Sequence, residues 1–217
     1  MLSTNELGNY IQAGAAEIPA DTVIEHGTLV NVMTGEYYPT NVAIYQGRIV
    51  AVDQDITDYI GPNTKHIDAT NQYLVPGLID GHIHVECSKM SMTSFSQAVL
   101  PHGTTSIISG LDEYISSIGL DGLEEIFAEI NQLPLKVFWG TPYKTPYTFP
   151  KSTIAYDIDS DDQARLLQQE NCFGVWETVR EAVQTRDEDT LKTLTLAQKY
   201  HQPIFGCSPM ARGKALN

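Results

Sequence analysis

The chain has 217 residues, 42% hydrophobic and 18% charged, the balance of an ordinary folded protein with room for a sizeable core. Acidic residues outnumber basic ones 27 to 13, for a formal charge of -14; that field repels polyphosphate and excludes extended nucleic acid as a ligand, though not a neutral nucleobase. Cys87, Cys172 and Cys207 are too scattered for a disulfide framework, no basic leader precedes an apolar run, and no stretch approaches the ~20 apolar residues of a membrane span, so a cytoplasmic protein is expected.

In chain order, Asn5 to Ala16 reads as a short helix with Leu7, Ile11 and Ala15 on one face. Thr22–Glu25, Thr28–Val32, Asn41–Tyr45 and Arg48–Asp53 follow as short strands rich in Val, Ile, Thr and Tyr. Gly27, Gly35 and Gly47 punctuate them, which predicts a small antiparallel unit of hairpins. The first domain is therefore placed at residues 1–70.

Residues 71–217 alternate between extended and helical patterns, as βα units on a parallel sheet do. The predicted strands are Tyr73–Asp80, Thr104–Ser109, Leu135–Gly140, Phe173–Glu177 and Gln202–Cys207. Helices are expected at about Ser91–Leu100, Leu120–Gln132, Asp161–Glu170 and Asp187–Tyr200. The last two have capping boxes read at Ser160-x-x-Gln163 and Thr185-x-x-Glu188. Leu191, Leu194, Ala197 and Tyr200 give the final helix an apolar face. A proline-rich connection, Thr141 to Asp159, leaves a strand's C-terminal end, where such folds place binding loops. Five strands are visible where a closed (β/α)8 barrel needs eight. The remaining strands are expected in a longer protein or a partner, and the open edges of the sheet predict a homo-oligomer.

The chemistry concentrates after the first of these strands. His82 and His84 are two apart, so the pleat puts both imidazoles on one side, and two neutral imidazoles make half of a borderline-soft metal site. The other histidines, His26, His66, His102 and His201, fall at turns or helix ends and read as solvated. His84-Val85-Glu86 mimics the His-x-Glu of base-editing zinc deaminases, but the Pro-Cys-x-x-Cys those enzymes need is absent. Dinucleotide, P-loop and serine-hydrolase signatures are absent too.

The run Pro76-Gly-Leu-Ile-Asp-Gly-His-Ile-His-Val-Glu86 resembles the metal-binding opening of the amidohydrolase superfamily. Ala98-Val-Leu-Pro-His-Gly-Thr-Thr105, Ala20-Asp21, Asn31-Val-Met-Thr-Gly-Glu36 and Gly174-Val-Trp-Glu177 are similar to its adenine deaminase branch, so the likeness runs along essentially the whole chain. The resemblance implies an α/β fold, a partial (β/α)8 amidohydrolase-type barrel preceded by a small β-sandwich portion. It also implies one or two divalent metal ions (Mn, Fe or Zn) and hydrolysis of adenine to hypoxanthine and ammonia. His82 and His84 resemble the first-strand metal ligands, and Glu177 the carboxylate that bridges two metals. Glu86 and Glu113 resemble acidic residues of the catalytic machinery.

Two positions depart from the family. Gly110-Leu-Asp-Glu113 stands where Asp-Pro-His-Glu is usual, so Asp112 replaces a site histidine. Gly206-Cys-Ser-Pro209 stands where a Gly-His-Ala-Pro-like run carries a ligand, so Cys207 replaces another. Carboxylate and thiolate both bind zinc, and both residues stay in the expected metal set. The family's sixth- and eighth-strand residues have no counterpart here, so this chain by itself is expected to lack full turnover. A cyclic-amide hydrolase of the same superfamily and a non-catalytic paralogue with an assembly or regulatory role are the competing readings. The first usually carries a carboxylated Lys where Glu177 stands.

Overall fold

The computed structural model describes residues 2–144, 156–208 and 211–215. Residues 145–155, most of the predicted proline-rich connection, lie outside the described residues, as do Pro209 and the last two positions. The chain divides into two compact units, Met1–Pro76 and Gly77–Asn217. Among the described residues, no helix is long and apolar enough to cross a membrane.

The first unit opens with helix α1 (Thr4–Gly14), started by a capping box in which Ser3 and Glu6 satisfy each other's backbone N–H groups. A five-stranded sheet follows: β1 (Thr22–Asn31), β2 (Glu36–Tyr45), β3 (Arg48–Asp53), β4 (Lys65–Asp68) and β5 (Tyr73–Leu74). The first three form the expected antiparallel hairpins, with the two short segments predicted before Asn31 joined into one strand across an irregularity between Ile24 and Gly27. The purely antiparallel expectation is corrected at β4 and β5, which both run parallel to β1. Ala20, Val23, Ala43 and Ile56 make this unit's core.

The predicted strand Tyr73–Asp80 is two strands in two units. Tyr73–Leu74 pairs with β1, whereas β6 (Leu78–Ile83) pairs with β7 (Thr104–Gly110). Pro76 cannot donate to a ladder. A Cβ on Gly77 would meet Thr105 Oγ1 at 1.9 Å, so the chain can pass there only as glycine.

The second unit is a parallel sheet in the order β6-β7-β8-β9-β10, adding β8 (Lys136–Pro142), β9 (Cys172–Val179) and β10 (Ile204–Cys207). Helices α2 (Met92–Val99), α3 (Asp112–Ile130), α4 (Ser160–Leu166), α5 (Arg180–Gln184) and α6 (Glu188–Lys199) connect the strands. Phe95, Ile107, Ile130 and Val137 pack in one buried cluster; Leu111, Leu123, Trp139 and Leu166 pack in the next. Burial of each such side chain is worth roughly 1.5–3 kcal/mol, and this seam ties helices to strands.

Helix α3 starts at Asp112 rather than Leu120. Gly119, at φ 67° and ψ -172°, breaks the helical run, and its missing Cβ admits the Tyr156 ring, which hid the first segment from a periodicity reading. Both predicted caps also move. Asp159, with Asp162, caps α4, and Asp187 caps α6 through the Thr190 N–H, because a carboxylate is the stronger acceptor for these free donors. The buried face of α6 is Thr190, Thr193 and Ala197, while Leu191 is exposed. Thr190 and Thr193 are tolerated because their hydroxyls donate to Asp187 Oδ2 and the Asp189 carbonyl.

Gly174, inside β9 at φ 112°, sits where a Cβ would lie 2.0 Å from the Pro203 carbonyl oxygen. Gly174→Ala is expected to destabilise the second unit by about 2–4 kcal/mol through backbone strain and steric displacement of β10. The midpoint of denaturant unfolding followed by Trp fluorescence checks this; an unchanged midpoint would contradict the tight β9–β10 approach.

Candidate metal centre

The C-terminal ends of the parallel strands carry every site residue anticipated from the sequence. His82 lies on β6 and His84 one residue past its end; Glu86 and Cys87 occupy the single turn after it. Asp112 and Glu113 open α3 directly after β7, Glu177 is on β9, and Cys207 ends β10.

Two bulges aim the key side chains. On β6 the register advances from Asp80 to Ile83 while β7 advances only from Ile107 to Ser109, so an extra residue is accommodated around Gly81-His82. On β9 the register runs from Val175 to Thr178 against Ile204 to Gly206 of β10, with the extra residue around Trp176-Glu177. Glu177 takes φ 44°, left-handed backbone that costs a non-glycine residue of order 1–3 kcal/mol.

Both imidazoles arrive at one carboxylate oxygen. His82 Nε2 is 3.0 Å and His84 Nε2 3.1 Å from Glu177 Oε1. The other face of His84 meets two more carboxylates, with Nδ1 3.3 Å from Glu86 Oε1 and 3.2 Å from Glu113 Oε2. Since both ring nitrogens of His84 face carboxylates, only the doubly protonated ring donates to all of them. Glu113 first, then Glu86, push its pKa up to about 12 against the opposing effect of burial. Glu113 is in turn drawn down to about 2, chiefly by His84 winning over its own burial, while burial carries Glu86 up to about 7.

Asp112 is buried and raised well above the ordinary carboxylate range, by burial first and then by Glu113 and Glu177. Its Oδ2 has no partner, and neither does the buried indole N–H of Trp176. A Cβ on Gly110 would lie 2.5 Å from the first atom and 2.6 Å from the second, so glycine is what lets both side chains fold in there. Cys207 is half-buried beside Glu177, and burial and that carboxylate raise its thiol pKa.

Sequence reading assigned no role to two residues that the fold brings in. The Trp176 ring lies 4.5 Å from the His82 ring at 37° and backs it; its place next to Glu177 was the available signal. Cys87 Sγ is 4.0 Å from Glu113 Oε1. The signal there was its position directly after Glu86.

Among the described residues two donor groups result: His82, His84 and Glu177; and His84, Glu86, Cys87 and Glu113. Within each, the ligand atoms lie within 4.8 Å of one another. The residues fit a divalent cation. Four carboxyl groups share the site with two imidazoles, and without a cation their repulsion is relieved by protons held on His84, Glu86 and Asp112. Asp112 Oδ2, buried with no donor, is a ready acceptor for such an ion.

The class follows from fold and site together: this is a partial amidohydrolase-type barrel, its curled parallel sheet presenting candidate metal-ligand residues at the strand ends. L-hydantoinase (dihydropyrimidinase) from Arthrobacter aurescens shares that fold, with a TM-score of 0.52 and 17% identity over 74% of this chain and 33% of its own. No family model matches the chain. More particularly, the chain is homologous to proteins named adenine deaminase. It is 68% identical to adenine deaminase 1 of Latilactobacillus sakei over 95% of its length, and 60% identical to that of Desulfotalea psychrophila over all of it. It spans 35% and 36% of those relatives, about a third of their length.

A pH dependence follows for the metal-free chain. Glu86 has its folded pKa raised from 4.5 to about 7. Its contribution to stability is therefore full below about pH 4.5 and is lost as pH rises through about 7. Glu86→Gln is expected to flatten the fall in unfolding free energy between about pH 4.5 and 7, a window to be read by denaturant titration in buffers of matched ionic strength. An equally steep fall in the variant would remove Glu86 as its source.

Proposed function

We propose that the chain belongs to a metal-dependent adenine deaminase, which hydrolyses adenine to hypoxanthine and ammonia. The observation that carries the reading is the convergence of His82 and His84 on Glu177 at the strand ends, in a chain 68% identical to a protein of that name. His82, His84 and Glu177 would hold one or two divalent ions of the manganese, iron or zinc kind, with Asp112 and Cys207 as further donors. Bound there, such an ion supplies Lewis acidity, lowering the pKa of water.

The chain's own residues handle protons and orientation. Hydrolysis at C6 of adenine needs a proton delivered to ring N1 and another to the departing amine. Glu86, on the Nδ1 side of His84, is the group to donate, and Glu113, kept ionised by His84, the group to accept a proton from the attacking water and pass it on. Glu86, at about 7, sits near the pH at which general acid–base transfer is most efficient. The same two carboxylates fix the orientation of the His84 ring, and Trp176 fixes that of His82.

A cytoplasmic homo-oligomer acting on the free base, apart from nucleic acid and membranes, completes the reading. Sedimentation velocity of the full-length gene product tests the association: a monomer at all concentrations counts against it. Asp112 and Cys207, standing where the family places histidines, favour a second reading as a non-catalytic relative.

The test is adenine-dependent ammonia release by the purified full-length gene product loaded with Mn, Fe or Zn. His82→Ala and Glu177→Gln are each expected to lower turnover by more than about a hundredfold, since loss of a direct ligand exceeds the ~10–100-fold cost of losing a ligand's outer partner. A folded, metal-loaded protein that leaves adenine untouched would favour the non-catalytic reading.

A further inference from the structure

We propose that Cys87, Glu86 and Glu113, with the Nδ1 side of His84, form a second cation site, selective for thiophilic divalent ions and distinct from the His82–His84–Glu177 group. Each of these four residues offers one ligand atom, and those atoms lie within 4.8 Å of one another. Three elements build the cluster: the end of β6, the turn Glu86–Ser88, and the first turn of α3.

Two carboxylates and a thiol face a single ring nitrogen. Glu86 and Glu113 both turn to His84 Nδ1, and Cys87 Sγ reaches Glu113 Oε1 at 4.0 Å. An independent sign comes from Glu86, whose side chain is only 10% exposed: its Oε2 is shut off from water and has no hydrogen-bond partner. Leaving a buried carboxylate oxygen unpaired is costly, and a cation drawn into the cluster removes that cost.

The donor set selects the kind of ion. A thiolate and an imidazole beside two carboxylates suit zinc, cobalt, iron(II) or cadmium, whereas magnesium and calcium prefer oxygen alone. Cys87 is exposed, so an ion reaches the cluster from solvent without opening the fold. Binding displaces the thiol proton and the Nδ1 proton into solvent. His84 Nε2 remains turned toward Glu177, so the ring stands between the two groups.

This inference does not depend on adenine turnover, and an ion held there would engage the two carboxylates that the proposed function uses for proton transfer. The experiment is a titration of the metal-stripped full chain with cobalt(II), following the thiolate-to-cobalt charge-transfer band and the bound stoichiometry. Wild type is expected to show the band. Cys87→Ser should abolish it and weaken that binding step by at least tenfold while leaving the far-ultraviolet circular dichroism unchanged. Cys207→Ser, which removes the thiol beside Glu177, should keep the band, as should His82→Ala, which disables only the inner group. A band that survives Cys87→Ser, or is lost instead in Cys207→Ser, overturns the proposal, as does cobalt binding without any band. If His82→Ala leaves cobalt binding wholly unchanged and wild type also fails to deaminate adenine, the proposed function fails while this site stands.

Discussion

One oxygen of Glu177 accepts from two imidazoles, and that meeting point fixes the demands on everything around it. To reach it, β6 must bring His82 and His84 out together, and β9 must turn Glu177 back toward them. Each strand does so with an extra residue against its neighbour, and Glu177 bears left-handed backbone as a consequence. Strain of this kind persists only where the surroundings over-determine it. Here the over-determination comes from Gly174, held against the Pro203 carbonyl, and from Trp176, wedged between the missing Cβ of Gly110 and the His82 ring.

The electrostatics follow from the same crowding. Asp112, Glu86, Glu113 and Glu177 project from three places in sequence onto a volume that they share with two imidazoles. The field is relieved unevenly. Glu113 stays ionised because His84 is beside it, while Glu86 and Asp112, more deeply buried, hold protons more tightly. Environments that push like groups apart are those that divide acid from base roles. They also favour a cation over a proton. Through its two nitrogens His84 couples the carboxylates on one side to Glu177 on the other.

Much of the fold was legible because periodicity is a local property. The apolar runs ending at Ser109, Gly140 and Glu177 declared parallel strands; the observed β7 and β9 contain theirs, and β8 starts one residue later than predicted. Legibility failed where one residue's conformation is decided by a distant neighbour. Gly119 breaks α3 around the Tyr156 ring, and Pro76-Gly77 divides what reads as a single strand, because Thr105 lies against the glycine. Caps went to Asp159 and Asp187 rather than to the hydroxyls beside them, a contest between acceptors that spacing alone does not settle.

The sequence by itself determined which chemistry-bearing side chains stand at the strand ends: a His-x-His pair at the end of an apolar strand, a Glu closing another, and Asp112 and Cys207 after two more. Residue type and position along a strand are local, and each strand end points the same way in a parallel sheet. Tertiary structure alone decided which side chains meet. It set both imidazoles on a single oxygen, left Asp112 Oδ2 and the Trp176 N–H buried without partners, and brought Cys87 into reach of Glu113. Those outcomes depend on bulges, whose one-residue shifts turn a side chain from one face to the other. Cross-strand register sets them, and no single segment encodes it.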